Sequence, residues 1–209
     1  YYEWVLRIAE GADLMANTTH KVRFLTGCHN GIPNRPMGEL LAANMRMIGA
    51  PTYTEEELQF AAELGKSITR EEKRAVLTRS HLPGALELMD VNINTNIYDP
   101  WGEERKGGGG STDVAEVSWI TPTMEFSTAC FVVGAPGHSW QHAAISGTSI
   151  AHKSTLFAAK AMAATALDLM TQPEALARVK EDWETRMAGR TYRSPLPADL
   201  APPLDQLEA

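Results

Sequence analysis

The sequence has few cysteines, no long apolar run and no cluster of positive charge. Its two cysteines, Cys28 and Cys130, lie far apart and lack partners at metal-ligand spacing, so we interpret them as reduced thiols in a cytoplasmic protein. No stretch reaches the ~18 to 20 apolar residues of a membrane span. The formal net charge is -7 and no run of Lys or Arg occurs. A phosphate-binding surface needs clustered cations, so the pattern argues against a nucleic-acid partner.

The beginning of the chain resembles the middle of a helix. It has neither an initiator Met nor the basic-then-apolar layout of a signal peptide. Tyr1, Trp4, Val5 and Ile8 follow the three-and-four spacing of one apolar helical face, which predicts a helix over residues 1–16. We therefore expect the chain to be a fragment of a longer protein.

Three segments have patterns that are typical of strands. Residues 20–26 alternate between polar and apolar side chains, which predicts a half-buried antiparallel strand after the first helix. Residues 126–133 are predicted to form a buried strand, and residues 117–120 also have strand character. Together with the helices predicted elsewhere, these segments indicate an α/β fold.

Local signals mark the starts of several helices. Asn34 can cap a helix over residues 37–47 because Pro36 suits its first turn. Thr54 and Glu57 have capping-box spacing, which predicts a helix over residues 55–64. Residues 66–90 are interpreted as helical pieces, and residues 154–170 as a helix that is apolar nearly all round and therefore buried.

Three of the six histidines, His138, His142 and His152, lie within fifteen residues of one another. His138 and His142 are four apart, which would place both imidazoles on one helical face. A zinc-protease helix also needs a Glu directly after the first His, and Ser139 stands there, so that motif is excluded. Neighbouring Pro and Gly favour a loop. Two interpretations stay open. All three histidines can be ordinary surface or core residues, or at least one of them can bind a metal ion.

Ser111, Thr112 and Asp113 follow a run of four glycines. They can form a turn or cap that ends the glycine stretch, or a polar site beside pliant backbone. The glycine run lacks the Lys-Ser/Thr ending of a phosphate loop, and neither Ser111 nor Ser139 has the surroundings of a nucleophile elbow. From spacing alone the sequence indicates an α/β protein with one candidate metal ligand.

Two blocks of sequence carry a family resemblance. Gly-Gly-Ser-Thr-Asp-Val-Ala-Glu-Val-Ser-Trp-Ile-Thr-Pro-Thr (109–123) resembles a signature of the aminobenzoyl-glutamate hydrolase family of metal-dependent amidohydrolases. So does the later block that contains His138-Ser-Trp-Gln141, Ile150-Ala-His152-Lys153, Ala158-Ala-Lys160 and Ala164-Thr-Ala-Leu-Asp168. This family belongs to the aminoacylase and carboxypeptidase branch of the two-metal metallopeptidases. The resemblance runs from the first helix to about residue 170.

The resemblance implies an architecture. Residues 1–30 would be the end of an α+β lid and dimerisation domain, and residues 31–188 the C-terminal part of a metal-binding α/β catalytic domain. Residues 189–209 would form a loosely packed tail. Most of the metal ligands and the catalytic Glu would precede residue 1, so no catalytic residue is assigned in this chain.

The resemblance also implies site residues and an activity. His138 resembles the last metal ligand of the family, with His152 as the alternative, and Ser111, Thr112 and Asp113 resemble its substrate-side loop. The implied reaction is metal-dependent hydrolysis of an amide bond in p-aminobenzoyl-glutamate or a related N-acyl amino acid or dipeptide, with two zinc or manganese ions per site. The implied assembly is a homodimer or hetero-oligomer through the lid. The alternative is a non-catalytic binding or scaffolding subunit, and we expect these 209 residues alone to be inactive.

Overall fold

The computed structural model describes residues 1–80, 82–100, 112–202 and 204. They form two compact units: residues 1–29 with the described residues from 193 onward, and residues 30–192. The assignment of these units to a lid and a catalytic domain stays a prediction. The helices are α1 (Tyr2–Ala16), α2 (Arg35–Ile48), α3 (Glu55–Gly65), α4 (Arg70–Ser80), a 3₁₀ turn (Ala85–Asp90), α5 (Val114–Ser118), α6 (Trp140–Ser146), α7 (Ser149–Thr171) and α8 (Pro173–Met187).

The expected α/β fold is wrong for the described residues. They are mostly helical and contain no sheet, and their β structure is one isolated bridge between Pro33 and Thr123. Residues 20–26 and 126–133 contain no strand, and residues 117–120 cover the end of α5 and the turn after it. Alternating polar and apolar side chains suit a segment to a half-buried strand. A β-ladder, however, also requires a neighbouring strand with which the segment can form hydrogen bonds. Val133 donates one backbone bond to Asn92 O, at 2.8 Å, and in the described chain no ladder extends from it.

The helix starts predicted from capping residues are confirmed. Asn34 Oδ1 accepts a hydrogen bond from Met37 N at 3.0 Å, at the beginning of α2. At α3, Thr54 Oγ1 accepts from Glu57 N at 3.3 Å, while Thr54 N donates to Glu57 Oε2 at 2.7 Å. Both caps satisfy backbone donors that the first helical turn leaves unpaired.

The long helix α7 begins five residues earlier than the sequence indicates, and α8 was not predicted. In the larger unit, α2, α7 and α8 pack against one another. Asn34 Nδ2 donates to Val179 O of α8 at 2.8 Å, and Asn44 Nδ2 donates to Asp168 Oδ2 of α7 at 2.8 Å. The amide side chains of α2 and its cap therefore connect all three helices through buried polar contacts.

The core of the larger unit joins α3, α6 and the start of α7. Ile145 and Ile150 are almost fully buried, and burying such a side chain stabilises the fold by about 1.5–3 kcal/mol. They pack with a set of smaller and branched side chains from the segments around them: Ala61, Leu64, Ile68, Ile93, Val132 and Ala135. This cluster holds the segment that leads from Val132 into residues 136–139, which we call the histidine loop.

In the smaller unit, α1 ends at Ala16, and its C-cap residue Asn17 has a left-handed backbone, with φ 52°. Asp13 accepts a hydrogen bond from Thr18 Oγ1 at 2.9 Å and contacts the His20 ring, and the contact with His20 is the main reason why the pKa of Asp13 is lowered. None of the residues of α1 is buried. The apolar face that its spacing predicts is therefore solvent-exposed in this structure.

Candidate functional site

His138 lies in the loop between the buried segment 132–135 and helix α6. Its backbone is left-handed, with φ 56°, and its side chain is exposed. α6 begins two residues later and is held by its buried residues: Ile145 is fully enclosed, and Gln141 Nε2 donates to Ser67 Oγ at 3.3 Å. His138 therefore lies in a loop, as the neighbouring Pro136 and Gly137 predict, whereas the loop prediction is wrong for His142, which lies in α6.

His142 belongs to α6 and is half-buried. Its ring stacks on Phe131 with centroids 3.9 Å apart and planes 9° apart. Burial lowers the pKa of His142, a backbone hydrogen bond with Ala135 opposes that shift, and the nearby His138 lowers the pKa further. The lowered pKa favours the neutral imidazole of His142.

His152 lies on the exposed side of α7, and its neighbour Lys153 has a structural role. Glu57 Oε2 accepts from Lys153 Nζ at 2.7 Å, and Glu57 Oε1 accepts from Ser149 Oγ at 2.5 Å. Together with the Thr54 N–H, these donors lower the pKa of Glu57 to about 2, with Lys153 making the largest contribution. The block Ile150-Ala-His-Lys153 thus ties the start of α7 to the start of α3.

Two of the three residues predicted for the substrate loop can be located. Thr112 Oγ1 accepts from Val114 N at 3.2 Å, which starts the short helix α5, and Asp113 is exposed at its N-terminal end. The Thr112 contact fits the turn interpretation, whereas Asp113, at the N-cap position of α5, makes no side-chain cap hydrogen bond. Ser111 lies outside the described residues.

The predicted site residues do not come together in the described part of the chain. No group of three or more His, Cys, Asp or Glu side chains that could hold a metal ion occurs there. His138 and His142 are neighbours, whereas neither His152 nor Asp113 joins them in such a group within the described ranges. The assignments of His138, His152, Thr112 and Asp113 stay predictions.

A half-open cavity adjoins the histidine loop. Its volume is about 510 Å³, and residues 131–135 and His142 form part of its wall. Sequence reasoning did not select His142 as a site residue, although its four-residue spacing from His138 was visible. The Phe131 ring stacks on His142 at the cavity wall, and nothing in the sequence around Phe131 indicates this contact.

A comparison with curated proteins tests the resemblance to the aminobenzoyl-glutamate hydrolase family. The chain is 32% identical over 208 residues to a subunit of p-aminobenzoyl-glutamate hydrolase from Escherichia coli (strain K12), an alignment that covers 96% of this chain and 43% of that protein. The resemblance is confirmed. A shorter alignment of 83 residues, 36% identical, covers 39% of this chain and 18% of a human protein named Xaa-Arg dipeptidase. No protein-family model and no solved structure matches the chain.

The chain spans less than half the length of each of these two relatives. The alignment with the hydrolase subunit includes both blocks that carry the resemblance, since it covers nearly the whole chain. Among the described residues, no helix combines the length and the apolar character that crossing a membrane requires.

Proposed function

We propose that this chain is part of a hydrolase that cleaves the amide bond of p-aminobenzoyl-glutamate or of a related N-acyl amino acid or dipeptide. The observation that carries the proposal is the 32% identity with the p-aminobenzoyl-glutamate hydrolase subunit over 96% of the chain. The second relative, named Xaa-Arg dipeptidase, also cleaves an amide bond according to its name, which supports the same reaction class.

We propose that the reaction depends on divalent metal, zinc or manganese, and that His138 supplies one nitrogen ligand. A bound divalent ion would make a water acidic and polarise the amide carbonyl. The described residues do not form a three-ligand site on their own. The remaining ligands and the general base would then lie outside them, and no catalytic step is assigned to residues of this chain.

The experiment uses the longer protein that contains this chain. Hydrolysis of p-aminobenzoyl-glutamate and of simple N-acyl amino acids is measured together with bound metal. We expect His138→Ala to lower both metal content and turnover by at least about 100-fold, because removal of even an outer-shell partner costs 10–100-fold. His152→Ala tests the alternative ligand, an exposed histidine on α7: if His152 rather than His138 binds the metal, this variant loses metal content and turnover while the His138 variant retains them. Full metal content and activity in the His138 variant would refute the ligand assignment.

The alternative is a non-catalytic binding or scaffolding subunit. It is supported by the word subunit in the relative's name. Binding of p-aminobenzoyl-glutamate without turnover, in protein loaded with zinc or manganese, would decide for it.

We also propose that the protein associates through the unit that contains α1, as a homodimer or a hetero-oligomer. Several large apolar side chains of α1 are strongly exposed, among them Trp4, Ile8 and Leu14, and such surfaces are typical of contacts with other chains. Light scattering tests this: association should weaken when Ile8 is replaced by Glu, and an unchanged monomeric mass in both proteins would exclude it.

A further inference from the structure

The cavity beside the histidine loop has the size of a small-molecule site. At about 510 Å³ it falls within the range of ~300–1,000 Å³ that is usual for ligand pockets. Its walls come from α4, from the segment 94–98, from residues 127–129 and 131–135 and from His142. Val76, Leu77 and Phe157 give it a mainly apolar interior.

The described side chains that line the cavity carry no Asp, Glu, Lys or Arg. The polar groups among them are amides and hydroxyls, including Asn94, Tyr98, Ser127 and Thr128, and the imidazole of His142. Asn94 Nδ2 donates to Tyr98 Oη at 3.1 Å. A carboxylate buried among such groups would lose its hydration without gaining a cation, which is strongly unfavourable. The lining therefore selects an uncharged ligand with a small polar substituent.

One wall of the cavity contains a flat aromatic surface. The Phe131 and His142 rings are nearly parallel, and Phe131 is 39% exposed. Planar rings pack well against other rings in offset or edge-to-face arrangements, so this wall favours an aryl group over a saturated one of the same size. The same segment continues from Ala135 to His138 within three residues, which places the cavity beside the candidate metal ligand.

We propose that this cavity receives the uncharged aryl-acyl half of an N-acyl amino acid, while the charged amino-acid half stays outside it. The assignment of the ligand as a substrate group rests on the proposed function. The assignment of the cavity as an aryl site rests on its size, its uncharged lining and its Phe131–His142 wall. These two parts can be tested separately.

Binding to the 209-residue chain tests the cavity without any need for turnover. The probe is p-aminobenzamide, a neutral aryl amide, with cyclohexanecarboxamide as its saturated counterpart and N-acetylglutamate as a charged ligand without a ring. We expect p-aminobenzamide to bind more tightly than either. Val76→Trp should weaken its binding by about tenfold or more, equivalent to about 1.4 kcal/mol, because the indole would occupy the cavity. Ala75→Trp is the matched control on an exposed position of the same helix.

A second measurement keeps the test decisive if the Val76 variant does not fold. Ring-current shifts of the Phe131 and His142 ring resonances should appear when p-aminobenzamide is added to the unchanged chain. No binding, equal binding of the saturated amide, or equal binding by both tryptophan variants would overturn the cavity assignment. Aryl binding here with no amide hydrolysis by the longer protein would instead contradict the proposed function and leave the cavity assignment standing.

Discussion

Replacement of Asn34 by Ala should destabilise the larger unit by about 2 kcal/mol. Asn34 is 1% exposed, and both ends of its amide are used. Its oxygen caps α2 through Met37 N, and loss of an N-cap costs about 1 kcal/mol. Its nitrogen donates to Val179 O of α8, and a buried hydrogen bond of this kind contributes about another 1 kcal/mol.

Urea unfolding followed by circular dichroism measures this change. With a slope of about 2 kcal/mol per molar urea, a loss of about 2 kcal/mol lowers the midpoint by about 1 M. Asn34→Ser keeps an oxygen for the cap but cannot reach α8, so it should lose about half as much. Asn30→Ala is the control, since that side chain is exposed and its amide makes a local contact of 3.5 Å with Gly31 O.

Equal midpoints for Asn34→Ala and Asn30→Ala would refute the reasoning as a whole. Equal losses in the Ala and Ser variants would refute the cap contribution alone and leave the connection to α8 as the stabilising contact.

Two further predictions concern stability. The pKa of Glu57 is lowered to about 2, so its contribution should be complete above its ordinary value of 4.5 and should disappear as the pH falls towards 2. The urea midpoints of the native chain and of Glu57→Gln should therefore differ less as the pH is lowered from about 6 to about 3. A difference that does not change with pH would exclude the Glu57–Lys153 contact as its source. Gly134 has φ +88°, and a Cβ there would lie 2.4 Å from Lys73 Cγ. Gly134→Ala should therefore lower the thermal midpoint, with a loss of about 1–3 kcal/mol in the free energy of unfolding. Gly137→Ala is the control and should leave the midpoint unchanged, because a Cβ added there meets nothing within 4 Å. Equal midpoints for the two variants would contradict the steric argument.

The helices that the sequence predicts best are those with local start signals. Asn34 with Pro36, and Thr54 with Glu57, act within one turn, so the residues that form each cap are visible in a short stretch of sequence. The strands fail for the opposite reason. The alternation over residues 20–26 says nothing about whether a partner strand is present, and none pairs with it among the described residues.

Helix α5 shows how a distant contact overrides local preference. Its Val and Ser residues, followed by Trp119, suit a strand. Ser118 Oγ, however, accepts from Ile32 N at 2.8 Å, and Ser118 O accepts from Trp183 Nε1 at 2.7 Å. Neither partner can be inferred from the sequence around Ser118.

The candidate site was predictable in part. The four-residue spacing of His138 and His142 would place both imidazoles on one helical face, but only His142 lies in a helix, and His138 precedes it in a loop. The pKa of His142 nevertheless responds to His138. The cavity could not be foreseen, because its walls combine segments that are separated by tens of residues along the chain.

The backbone at His138 offers an unusual way to separate folding from chemistry. A left-handed φ of 56° costs a residue with a Cβ about 1–2 kcal/mol, and glycine adopts it without that penalty. His138→Gly should therefore remove the imidazole while leaving the protein at least as resistant to unfolding as before. Any function that disappears in a molecule of undiminished stability can then be attributed to the ring itself.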